Sequence, residues 1–130
     1  MRSASMIATL LLLAFLMGCN SSNASSFGQE REVIERSMPA ECRLLSSVGV
    51  QRNSERTEAS WQYQMSGSPD SIKNVLRSTF NKRYQTVHED ANGLSFARFD
   101  GADSFYLTFS LQARGKDVTA INVALTGMPD

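Results

Sequence analysis

Apolar and polar side chains alternate along Ala59-Ser60-Trp61-Gln62-Tyr63-Gln64-Met65, which is the period of a strand with one face buried. The period then changes. In Gly67-Ser68-Pro69-Asp70, Ser68 can cap a helix, Pro69 suits its first position, and Asp70 complements the positive end of its dipole. Ile72, Val75, Leu76 and either Thr79 or Phe80 follow at helical spacing as an apolar stripe, and Asn81, Lys82 and Arg83 suit the carboxyl end. Alternation returns in Tyr84–Glu89, Leu94–Phe99, Phe105–Leu111 and Val118–Thr126. "DANG" (90–93), "DGAD" (100–103) and "RGKD" (114–117) separate these runs, with the Gly and Asp that tight turns require. Upstream, Leu44, Leu45, Val48 and Val50 suggest a first strand interrupted by Gly49, and "RNSER" follows as a turn. Gln29–Ser37 has only Val33 and Ile34 as apolar residues in its middle and reads as a short charged helix.

Together these periods predict an α+β fold, an antiparallel β-meander of about five to six strands packed against one main α-helix in two layers. Trp61, Tyr63, Phe96, Phe105, Leu107, Phe109, Ile121 and Val123 should share the face that meets the helix stripe. The opposite face would carry Gln62, Gln64, Tyr106, Thr108, Ser110, Gln112, Asn122 and Thr126, and it is polar and nearly uncharged.

The amino-terminal pattern is of another kind. An apolar run from Met6 to about Met17, with Arg2 ahead of it, is too short for a bilayer-spanning helix of roughly 20 residues. It matches the apolar segment of an export signal. At its end, Leu16-Met17-Gly18-Cys19 resembles the lipobox of bacterial lipoprotein precursors. The resemblance covers residues 1 to about 26. It implies cleavage between Gly18 and Cys19, lipid attachment at Cys19, and acyl chains as the anchor to the membrane. Asn20, standing where Asp favours inner-membrane retention in similar Gram-negative lipoproteins, implies the outer membrane, with the domain facing the periplasm. An ordinary secretory signal, cut further on near Ser22-Asn23-Ala24, is the plainer alternative.

The expected organisation is therefore a signal peptide (1–18), a lipidated Cys19 with a flexible Ser/Asn-rich tether (19–29), and a single periplasmic α+β domain (30–130). Ten tether residues span about 17 Å, so the domain should stay close to its membrane. The whole chain has 13 basic and 13 acidic residues. A nucleic-acid binder would show a strong basic excess, so that class is set aside.

Candidate chemistry is sparse. With Cys19 consumed by lipid, Cys42 is left without a disulfide partner and reads as a small buried apolar residue. His88 is the only histidine, beside Glu89 and Asp90, and one His cannot build a transition-metal site. "DANGLS" departs from a calcium loop at Leu94, there is no G-x-S-x-G elbow, and no glycine-rich phosphate loop. No catalytic residue, cofactor or metal is expected.

The favoured reading is thus a membrane-anchored envelope lipoprotein acting as a non-enzymatic protein-interaction module. Its partner would be an envelope protein, met at Gln62, Gln64, Tyr106, Thr108 and Asn122. An exposed edge strand could also accept a partner's strand. The alternatives are a periplasmic inhibitor or immunity protein that blocks a hydrolase through the "RNSER" or "HEDANG" turn, and, behind it, a small ligand-binding protein or enzyme.

Overall fold

Each alternating run becomes a strand, and the helix-start signal at Ser68 begins a helix. The computed structural model describes residues 22–52, 55–101 and 103–129. The signal-peptide and lipobox residues, Cys19 included, lie outside these. In chain order the elements are α1 (Ser22–Ser37), β1 (Arg43–Arg52), β2 (Thr57–Ser66), α2 (Pro69–Phe80), β3 (Gln85–Asp90), β4 (Gly93–Asp100), β5 (Asp103–Gly115) and β6 (Val118–Pro129). Among the described residues the architecture is α+β, with six antiparallel strands and two helices.

The strand order is β1-β2-β6-β5-β4-β3, which corrects the expectation of a simple meander. β3 through β6 do form a meander and β1–β2 a hairpin, but β2 pairs with β6, Trp61 opposite Val123 and Tyr63 opposite Ile121. Five antiparallel pairings in that order make β2 and β3 run in the same direction. Such strands need a crossover rather than a tight turn, and α2 supplies it. Sequence periods locate strands but carry no pairing information, so the jump from β2 to the far edge was not legible.

α2 begins as its capping residues require. Ser68 has extended backbone angles and its Oγ accepts the N–H of Ser71, with Pro69 at the first helical position. Ile72, Leu76 and Phe80 are its buried residues, whereas Val75 is 41% exposed and leaves the expected stripe. The spacing 72, 76, 80 follows a single i, i+4 row, and Val75 lies beyond its edge. α2 packs on β5 and β4. Phe80 carries much of that contact, its ring 5.2 Å from Phe109 and about 6 Å from Tyr84 and Phe96. All eight residues expected on the core face are buried.

α1 departs from expectation. It begins at Ser22, so residues 22–29, expected as flexible tether, are helical. Phe27, Glu30 and Ile34 are buried on it at spacings of three and four, the repeat of one helical face. Weak helix formers such as Ser and Asn had masked that repeat. The chain divides after Val33 into two compact units, and the second, from Ile34 onward, holds the whole sheet and α2.

Candidate interaction surface

On a pleated sheet, residues directly opposite one another point to the same face, so register places the expected surface residues. Gln62 stands opposite Asn122, and Asn122 opposite Ser110. One step along, Val48, Ser60, Ala124, Thr108 and Ser95 form a row across five strands. The next row runs Glu58, Thr126, Tyr106, Ala97. On the other side, Gln64, Ala120 and Gln112 align. Gln62, Gln64, Tyr106, Thr108 and Asn122 are thus brought to a single sheet face, opposite the one that packs on α2.

The face is carpeted with amides and hydroxyls. Ser95 and Thr108 bring their hydroxyl oxygens within 3.4 Å, and Tyr106 stacks edge-on against Phe99, itself 65% exposed. Small side chains in the central row leave a shallow depression of about 270 Å³ lined by Ser46, Val48, Ser60, Gln62, Thr108 and Asn122. A second, of about 210 Å³, adjoins it between β1, β2 and β6. Small-molecule sites are usually enclosed, mainly apolar, and larger than roughly 300 Å³. Both hollows are open and smaller than that, which suits a broad contact better than an engulfed ligand. Glu58 is the carboxylate on the margin, 3.0 Å from Arg56 Nε.

The other singled-out residues do not join this face as chemistry. His88 and Asp90 make an exposed pair, Nε2 to Oδ2 3.2 Å, at the turn between β3 and β4. The Asn92 backbone N–H, 2.8 Å from Oδ1, holds the Asp90 carboxyl below its ordinary pKa, and His88 adds to this. Any stability this adds is present above the ordinary carboxylate range and is lost as pH falls through the lowered value. Beside it, Arg77 of α2 pairs with Glu89, and Lys73 Nζ donates to the Asp90 carbonyl at 3.1 Å. These contacts clamp the β3 edge to α2. Among the described residues, no three His, Cys, Asp or Glu side chains gather as metal ligands.

Cys42 is half-buried, with Sγ 3.7 Å from Met65 Sδ. Burial, then the nearby Glu41, pushes its thiol up to about 11. Only the thiolate is nucleophilic, so alkylation by iodoacetamide at pH 8 should be at least about tenfold slower in the native chain than in urea. Equal rates, measured by mass spectrometry of the Cys42 peptide, would contradict this environment.

No protein-family model matches the chain, and no curated relative does. Among solved structures the chain is similar to LpqN of Mycobacterium tuberculosis, a protein involved in cell envelope biogenesis. The TM-score is 0.42 at 8% identity, over 71% of this chain and 68% of that one. At that level the likeness assigns neither a role nor a residue here. No helix among the described residues is long and apolar enough to cross a membrane.

Proposed function

We propose that this protein is a bacterial envelope lipoprotein, held by acyl chains on Cys19 and acting as a non-enzymatic protein-interaction module. Its site in this reading is the outer membrane, on the periplasmic side. Anchoring rests on the lipobox resemblance. Two or more acyl chains hold a protein stably on its leaflet, since each buried methylene contributes about 0.8 kcal/mol. In this reading the main helix and the sheet act as two layers, α2 lying over β4 and β5 on one face and the other face left for contact.

The observation that carries the interaction reading is the convergence of Gln62, Gln64, Tyr106, Thr108 and Asn122 on one broad, nearly uncharged face with open hollows. Tyr is enriched where interfaces bury an aromatic ring and keep its hydroxyl wet. The test is photo-crosslinking in intact cells from a reactive side chain placed at position 122, with mass spectrometry of the products. One reproducible envelope protein, lost when Tyr106→Glu puts a charge on the face, is the expected outcome. Crosslinks no different from those made by a probe at exposed Val75 would sink the reading. Mass spectrometry of the amino-terminal peptide tests the anchor separately, and an unmodified Cys19 would remove it.

A further inference from the structure

The two edges of the sheet are built differently. β3 is six residues long, carries His88, Glu89 and Asp90, and is clamped by Lys73 and Arg77. Charge and a covering helix are the usual devices that stop an edge from pairing further. β1 has neither. It is ten residues long and, among the described residues, pairs with β2 alone. Of the seven large apolar side chains exposed among the described residues, four lie on it: Leu44 at 56%, Leu45 at 43%, Val48 at 50% and Val50 at 49%. Its only charges are Arg43 and Arg52, one at each end, and neither makes an ion pair among the described residues.

Consider what could cover such an edge. Water satisfies the outward N–H and C=O groups but not four exposed aliphatic side chains. Lipid satisfies the side chains but leaves the backbone groups without partners, which membranes do not tolerate at an open sheet edge. An extended strand satisfies both. A second copy of this chain would pair antiparallel about a two-fold axis, setting Arg43 against Arg52 at both ends. Like charges directly opposite are destabilising. β1 is also bulged between Leu44 and Ser46 and between Val48 and Gln51, so two copies would bring four irregularities into one ladder. A regular strand meets only two.

We propose that β1 is a docking edge for an extended segment of a partner protein, apolar along its middle and with a carboxylate near each end. Such a segment would lie along about 33 Å of strand, its backbone continuing the ladder and its carboxylates meeting Arg43 and Arg52. This deepens the interaction reading, resting on it in taking the partner to be a protein, but it uses the strand edge rather than the polar face.

The probe is a synthetic ten-residue peptide of alternating Val and Thr with Glu at both ends, added to the purified full chain. Its controls carry Lys at both ends, or N-methyl groups on alternate amides. The acidic peptide should bind about tenfold more tightly than the lysine one and slow hydrogen exchange of the β1 amides. In the double variant Arg43→Glu with Arg52→Glu, whose sites are exposed, the order of the two peptides should reverse while β2 and β6 exchange stays as in the parent. N-methylation should abolish binding. Indifference to the charged ends, binding unaffected by N-methylation, or no binding at all would overturn the proposal. So would sedimentation showing a dimer that the double variant dissolves. Tyr106→Glu leaves peptide binding unchanged, so failure of the face and failure of the edge are read separately.

Discussion

Replacing Phe80 by alanine is expected to cost about 3–5 kcal/mol of unfolding free energy. Phe80 is 1% exposed and ends the helix whose crossover joins β2 to β3. Its ring is shared among Tyr84, Phe96 and Phe109, the last two from β4 and β5. Truncation would open a cavity among rings that cannot all close over it, because Phe96 and Phe109 are held by their own strands. The loss would come from transfer and from the void together. Urea unfolding followed through Trp61, the single tryptophan and 3% exposed, reads it directly. Val75→Ala on the exposed side of the same helix should stay within about 0.5 kcal/mol. Comparable losses for the two variants would show that helix content, not the aromatic cluster, governs the effect.

Gly93→Ala should be nearly as visible for one added methyl group. Gly93 opens β4 opposite Ser110, and a Cβ built there would overlap the carbonyl oxygen of Phe109. The approach is tight because Leu111 N–H also donates to the Asn92 carbonyl, at 2.7 Å, just before β4 begins. Backbone on both strands would have to shift, so the expected cost is about 1–3 kcal/mol. Faster amide exchange should be confined to the β4–β5 pairing. Gly49→Ala is the control, since a Cβ there meets nothing within 4 Å. A neutral Gly93→Ala would mean the two strands can separate at that point without loss.

The residues that were legible in the sequence are those whose local chemistry is self-sufficient. Ser68-Pro69-Asp70 starts a helix by satisfying its own first N–H groups, and α2 starts there. Tyr106 and Thr108 could be placed opposite Phe105 and Leu107 because strand period is strict. The polar residues' convergence followed from the same rule. Pairing order depends on what the helix crossover allows in three dimensions, so neither β2–β6 nor the exposed state of β1 could be read from one strand's pattern. Leu44, Leu45, Val48 and Val50 suggest a strand in the sequence, and their exposure emerges only once β1 is found at an edge. Val75 failed for a milder reason: a stripe's width is set by what it packs on. The sequence marks α1 only from Gln29 because Phe27 stands among serines, although its seven-residue spacing to Ile34 puts both on one helical face.

The place of β6 in the sheet has a consequence for how the chain can acquire its structure. It is sixth of the six strands in chain order, yet it stands between β2 and β5 and pairs with both. During synthesis the β1–β2 hairpin and the β3–β4–β5 meander emerge first, as two half-sheets with no strand to join them. Closing the β2–β6 ladder brings Thr57 to Gly127 across most of the chain, the kind of long-range contact that folds slowly. Until then, the inner edges of both halves stay open to other chains. Without β6 the two half-sheets cannot be joined, so the sheet closes only when this strand reaches its place between β2 and β5.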